Sequence, residues 1–319
     1  MQDKARKWIY VVLIIVFVAS VCMVIQSMIS ARKAEEARQL AEEMAKMETT
    51  VMAETTAAEP ETTEAVTEPE EPTEPEYEGL YYADEHTAEL KKMNLEALQE
   101  KNPDVLGWIM IPDSKLSYPL LQGEDNDYYL NHTWEYEAST AGSIFLEHLV
   151  SGDLSDYNTI VYGHRMRDRS MFGNLVYFED PEYLAAHPYV YIVNDEGCHT
   201  YRVFSAHEAG VKTITYRIGE LNEEEREEYI KWSLDHSVIE TGEEPTVDNK
   251  ILTMVTCTGK GYDARWVVQA YHVGTDPRTE AGTESESDSQ ERNPLHTYDV
   301  WRGLNSLKLD MKLHLAGCL

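Results

Sequence analysis

Ile251-Leu252-Thr253-Met254-Val255-Thr256-Cys257 is an apolar, β-branched run of strand length that ends in a thiol. Arg265 opens a second such run, Trp266-Val267-Val268, after a short polar turn. Side chains of this kind fit the pleated surface of a sheet. Similar runs recur along the chain with turn residues between them, over 106–111, 116–121, 142–146, 158–163, 189–193, 200–206, 250–257 and 265–273. Eight short strands in this pattern predict a closed or nearly closed barrel, so the fold class reads as mainly β with flanking helices.

The helices are fewer. Ala88 to Glu100 carries Leu90, Met93, Leu95, Ala97 and Leu98 at mostly helical spacing, and Asn102-Pro103 closes it. Asp180-Pro181-Glu182 marks the start of a short helix with Pro in its first turn. Residues 220–234 read as a Glu-rich helix inside the long connection before the last strands, with Glu223–Glu228 as its solvated face. This folded region is expected to occupy residues 80–274.

The flanks have a different composition. Residues 8–29 are nearly all apolar, and about 22 such residues are long enough to cross a bilayer core as a helix. Lys4, Arg6 and Lys7 precede the run and favour a cytoplasmic N-terminus of residues 1–7, although Arg32 and Lys33 on the other side weaken the contrast. A cleavable signal usually has a shorter apolar core, so an uncleaved transmembrane anchor is favoured over cleavage near Ser30-Ala31. The rest of the chain would then lie outside the cell, on a single-pass membrane protein. Residues 30–48 read as a helix continuing from the membrane. Residues 49–79 form a Glu/Thr/Pro-rich tract without Lys or Arg, which cannot bury enough apolar surface to order itself. As an extended spacer of about 30 residues it would reach on the order of 100 Å. Residues 275–319 read as an acidic, disordered tail with a short terminal helix around Trp301, and Cys318 as an exposed thiol.

Charge and cysteine content exclude several functions. The net charge is -31, with 58 acidic against 27 basic residues, so nucleic acid is not an expected partner. The 4 cysteines, Cys22, Cys198, Cys257 and Cys318, contain no CxxC pair or zinc-ligand spacing, and no metal or cofactor is expected. A Cys198–Cys257 disulfide would remove the thiol at the strand end.

That thiol is the first candidate for chemistry. Cys257 at a strand end can face a groove, and a nearby cation favours the nucleophilic thiolate, whereas the plain alternative is a buried core cysteine. The run Asn158-Thr159-Ile160-Val161-Tyr162-Gly163-His164 also ends at a strand exit, where Gly163 permits a sharp turn and His164 follows. A Cys and a His on separate strand ends can meet in space, although a single histidine is more often structural or on the surface.

Several stretches together resemble the class B sortases, cysteine transpeptidases anchored on the outer face of Gram-positive bacteria. They are Asn102-Pro103-Asp104-Val105-Leu106-Gly107-Trp108-Ile109, Tyr118-Pro119-Leu120-Leu121-Gln122, Asn126-Asp127-Tyr128-Tyr129-Leu130-Asn131-His132 and Gly142-Ser143-Ile144-Phe145. Asn158 to His164, Ser170-Met171-Phe172-Gly173, Thr256-Cys257 and Arg265-Trp266-Val267-Val268 continue the series in order. The resemblance spans about Asn102 to Tyr271. The helix before the barrel and the helical insertion before the Cys-bearing strand fit class B rather than class A.

The resemblance implies an eight-stranded sortase-type barrel with Cys257, His164 and Arg265 as catalytic residues, and Asn126 and Leu130 as substrate contacts. Its implied partners are secreted proteins bearing a C-terminal sorting signal and an amine acceptor of the cell wall. Cys257 would attack a Thr-Gly-type peptide bond, Arg265 would stabilise the oxyanion, and His164 would protonate the leaving amine. A wall amine would then resolve the thioacyl-enzyme. Such a Cys–His pair gives a bell-shaped pH profile. Two departures from the family pattern stand out: Val255 where Ser is frequent, and Arg165 where Asn is common, the latter adding a second cation near the site. The competing readings are a surface cysteine peptidase or hydrolase and a non-catalytic, surface-anchored adhesion module. A papain-type cysteine lies early in its domain before a helix, whereas Cys257 ends a late strand.

Overall fold

The computed structural model describes residues 2–46, 79–258 and 263–278. Eight strands close into one barrel: β1 (Val105–Met110), β2 (Ser117–Leu121), β3 (Ile144–Leu146), β4 (Asn158–Tyr162), β5 (Tyr189–Val193), β6 (Gly197–Gly210), β7 (Ile251–Cys257) and β8 (Ala264–Pro277). Their order around the barrel is β1-β2-β3-β4-β7-β8-β6-β5, and β5 pairs back onto β1. Closure leaves no open sheet edge. Ile109, Leu120, Ile144, Val161, Ile192, Leu252, Met254 and Val268 are buried in one apolar core, and the strands that carry them are buried along nearly their whole length.

Among the described residues, five α-helices accompany the barrel: α1 (Gln2–Lys46), α2 (Glu85–Leu90), α3 (Leu95–Lys101), α4 (Pro181–Ala186) and α5 (Glu223–His236). The single helix predicted over 88–100 is two helices. Asn94 interrupts it, because its side-chain oxygen accepts from the Ala97 amide at 3.0 Å and caps a new N-terminus. Asn222 and Glu225 form a capping box at the start of α5. That helix is pinned to the barrel by Tyr229, whose hydroxyl lies 3.0 Å from Thr253 Oγ1 and accepts from Gln269 Nε2 at 2.7 Å.

Strands β6 and β8 are each 14 residues long, well beyond the predicted 200–206 and 265–273. They pair with each other from Gly197↔Pro277 to Gly210↔Ala264. Backbone pairing thus carries the ladder over polar residues such as His199 and Thr275, where no apolar alternation signals a strand. It also extends β8 past residue 274 to Pro277, into the stretch expected to begin the tail. Conversely β3 is shorter than its predicted run, because Gly142 turns with φ 58° before it. Residues 49–78, the expected spacer, and 279–319, including Cys318, lie outside the described residues.

Among the described residues one helix, α1, is long and apolar enough to cross a membrane. Its apolar side chains, from Trp8 and Tyr10 to Ile29, are exposed. Beyond them α1 behaves differently. Ala34, Ala37, Ala41 and Ala45 are buried against the barrel domain, in the same apolar cluster as Leu95, Leu98, Trp108 and Trp134 for the last three of them. The segment expected to be a simple juxtamembrane helix is therefore a packed element of the fold.

Candidate active site

Strand register brings distant residues to one rim. Strands β4 and β7 are parallel neighbours, with Tyr162 opposite Val255. Their C-terminal ends point the same way, so Gly163-His164 and Thr256-Cys257 emerge side by side. The Gly163 amide donates to the Val255 carbonyl at 3.2 Å and extends this pairing past the strand end. Strand β8 runs antiparallel to β7 and places its second residue, Arg265, directly opposite Cys257. A parallel pair joined by a long crossover and an antiparallel partner thus assemble a thiol, an imidazole and a guanidinium from three parts of the chain.

These three residues line one narrow cleft with Asn126, Leu130, Phe145, Tyr162 and Thr256, of about 350 Å³ including its open mouth. Cys257 is only 6% exposed, and neither Cys198 nor Cys257 forms a disulfide. The bridge considered above is absent, and the Cys257 thiol is retained. Cys198 sits elsewhere in the fold, and burial pushes its thiol up to about 12.

His164 is held by backbone. Its Nε2 lies 2.8 Å from the Leu130 carbonyl. The carbonyl can only accept, so Nε2 carries the proton and Nδ1 is left with its lone pair in the neutral ring. Burial lowers the His164 pKa, opposed in part by the hydrogen bond to Leu130. Leu130 thus contributes a backbone carbonyl to the imidazole as well as a side chain to the cleft wall. Arg265 is buried and its Nη1 donates to the Ala264 carbonyl at 3.1 Å. Its charge lies close enough to Tyr162 and Tyr216 to favour their ionised forms, although burial dominates and holds both phenols well above their ordinary range. Arg165 is directed to backbone: Nη1 donates to the Thr258 carbonyl, one residue past Cys257.

Asn126 is fixed at both ends. Its Nδ2 donates to Glu147 Oε2 at 2.7 Å, and its Oδ1 accepts from the His148 amide at 3.0 Å. The same carboxylate accepts from the Tyr162 hydroxyl at 2.9 Å. Glu147, 6% exposed, is therefore the hub that orients two cleft-lining side chains, and the sequence reading missed it. Its position just after the Phe145-Leu146 strand, a carboxylate at the end of an apolar run, was the available signal. Tyr162 and Tyr216 also went unmarked. The Tyr216 hydroxyl and Thr256 Oγ1 are buried and have no hydrogen-bond partner among the described residues. No group of three or more His, Cys, Asp or Glu able to hold a metal occurs among the described residues.

A thiol, an imidazole and a fixed cation lining one cleft are the equipment for acyl transfer through a thioester. Comparison with known proteins agrees. Residues 109–273 match the sortase domain family. Sortase B of Listeria monocytogenes is 34% identical over 177 residues, 55% of this chain and 72% of the relative. Among solved structures, sortase B of Clostridium perfringens is similar with a TM-score of 0.53 and 31% identity, over 56% of this chain and 99% of that one. A Staphylococcus aureus sortase B–substrate complex is similar with a TM-score of 0.54 and 31% identity, over 57% of this chain and 85% of that one. A closed eight-stranded barrel, a helical insertion before the Cys-bearing strand and these matches lead to one conclusion: the chain belongs to the sortase family, in its class B.

Proposed function

We propose that this chain is a membrane-anchored cysteine transpeptidase that cleaves a Thr-Gly-type bond in the sorting signal of secreted proteins and transfers the acyl group to a cell-wall amine. The observation that carries the reading is the direct cross-strand pairing of Cys257 with Arg265 at the rim where His164 emerges. The Cys257 thiol gives its proton to Nδ1 of the neutral His164, Sγ attacks the scissile carbonyl carbon, and a tetrahedral oxyanion forms beside the resulting imidazolium. Arg265 stabilises that charge, and its fixed position minimises reorganisation as the charge develops. Collapse forms the thioester and breaks the C–N bond, while His164 gives its proton to the departing amine. An incoming amine then attacks the thioester, His164 takes its proton, and the Cys257 thiolate leaves.

Asn126 and Leu130 serve as substrate contacts, with Asn126 held rigid by Glu147 and Leu130 set at the cleft wall. The exposed apolar stretch of α1 is the single-pass anchor, and the catalytic barrel lies on the outer side of the membrane. The test is intact-mass and peptide-level mass spectrometry after incubation with a library of candidate sorting peptides. An acyl adduct should appear on Cys257 and be absent from Cys257→Ala and from Cys198. An adduct on another residue, or turnover by Cys257→Ala, would refute the assignment of the nucleophile.

A further inference from the structure

The transition along α1 is abrupt. Ile29 is 52% exposed, the last of the exposed apolar side chains, and Ser30 is 8% exposed. Ser30 Oγ accepts from the Thr140 amide at 2.6 Å and lies 3.2 Å from Ser139 Oγ. One turn on, Lys33 pairs with Glu137 at 2.9 Å. The Trp134 indole donates to the Ala37 carbonyl at 2.7 Å, and the Asn94 amide donates to the Ala45 carbonyl at 2.9 Å. The buried alanines 34, 37, 41 and 45 fall on one helical face, and their small side chains let the helix backbone approach the barrel domain closely enough for those bonds. Contacts with the barrel domain therefore begin at the residue where the apolar span stops and continue to the end of the helix.

We propose that α1 clamps the catalytic barrel flush against the outer surface of the bilayer, so that the cleft is held near headgroup level rather than carried outward on residues 47–78. This rests on the membrane-anchor reading above. The height follows from what faces the first turns of the clamp. Ala31, Ala34, Glu35 and Arg38 border one cavity, of about 1040 Å³ including its open mouth, with Lys115, Asp168 and Met171. Met171 closes the loop that starts at His164: it bridges to Arg165, and the Phe172 amide donates to the His164 carbonyl at 3.0 Å. At 1.5 Å rise per residue, Arg38 stands only about 14 Å beyond Ile29, and helix tilt shortens that height. An extended spacer of the same chain would instead permit on the order of 100 Å. Both ends of residues 47–78 belong to the clamped body, α1 on one side and the Tyr81–Thr275 bridge on the other. Their length then has no bearing on where the cleft sits. The partner this surface fits is the bilayer itself, and the geometry favours a substrate whose scissile bond is presented close to the membrane.

The experiment uses the full chain in liposomes, with residues 47–78 either native or doubled in length. Ser30→Cys with Ser139→Cys reports docking by disulfide formation, and a genetically encoded fluorophore at Lys115 reports height by energy transfer to a headgroup-attached acceptor. A clamped barrel gives the same crosslinking rate and the same transfer in both proteins. A barrel hanging on the spacer loses crosslinking about three-fold on doubling, from the −3/2 power of length, and loses transfer as well. That result overturns the proposal. Ala41→Arg, which places a large charged side chain in the packed face, should convert the first behaviour into the second. Equal crosslinking in a protein that does not float with vesicles would refute the membrane anchor and, with it, the bilayer part of the proposal, while leaving the nucleophile assignment untouched.

Discussion

At the scale of single residues, the cleft depends on a side chain that does not itself line it. Glu147 accepts from both Asn126 and Tyr162, and a hydrogen bond to a charged group contributes about 1.5–3 kcal/mol. Glu147→Ala should therefore loosen both cleft residues and raise KM by about ten-fold or more with a smaller change in kcat. Glu147→Gln, which keeps one acceptor oxygen, should recover part of that loss. Steady-state kinetics on a single sorting peptide checks this, and a pure kcat loss in both variants would argue against a positioning role. For His164, burial lowers the pKa below the ordinary value of about 6.5, so the ring is mostly neutral at pH 7. The acid limb of kcat/KM should accordingly fall below pH 6.5 and disappear from the residual activity of His164→Ala. A limb well above 6.5 would mean that something other than burial governs the imidazole.

At the scale of elements, the loop carrying Leu130 is fixed by a close approach. A Cβ on Gly142 would come within 2.5 Å of the Tyr129 carbonyl oxygen and 2.6 Å of that of Leu130, at a φ of 58° that L side chains rarely adopt. Gly142→Ala should cost about 1–3 kcal/mol of stability, read as a lower urea midpoint. It should also reduce kcat, because the displaced Leu130 carbonyl is the acceptor for His164. Ser143→Ala, which removes only a hydroxyl bonded to the His132 carbonyl, serves as the comparison and should leave kcat closer to that of the parent. Each of the eight strands has a counterpart among the predicted runs, since apolar β-branched segments and turn residues are local signals. The strand-end positions of Cys257, His164 and Arg265 were legible for the same reason, whereas their reading as a catalytic trio came from the resemblance to class B sortases. Their meeting was not legible, because it depends on β4 and β7 being parallel neighbours across a long stretch of chain. Glu147 and Tyr216 were hidden because their surroundings arise only from tertiary contact. The Asn94 break between α2 and α3 was obscured by apolar residues that keep helical spacing across it.

At the scale of the molecule, two features of the chain act on stability in opposite directions as pH falls. Acidification relieves the repulsion of a chain with net charge -31. The barrel also holds histidines neutral: burial lowers His207 to about 4 and His272 to about 4. A group whose folded pKa is depressed binds its proton more readily when unfolded. The stability from keeping it neutral is present above about pH 6.5 and is lost as pH falls toward 4. For the fully buried His207, which bonds to Ser205 Oγ through Nδ1 at 3.0 Å, the loss is up to ~3 kcal/mol. His207→Gln should therefore lie below the parent in Tm at pH 7 and approach it by pH 4. Parallel curves across that range would show that His207 stays neutral in the unfolded chain too, or charges in the fold.

The molecule as a whole joins a long N-terminal helix, packed on the barrel from Ser30 onward, to a rim that carries a thiol, an imidazole and a guanidinium, and the reaction proposed for that rim is acyl transfer to an amine through Cys257. The most direct measurement is single-turnover product analysis of the full chain with one sorting peptide, with and without an added amine acceptor. The expected result is a Cys257 thioester that accumulates without acceptor and is converted to amide product, at a rate that rises with acceptor concentration, when the amine is added. Release of free acid at the same rate in both cases, with no amine incorporated, would contradict it and identify a hydrolase.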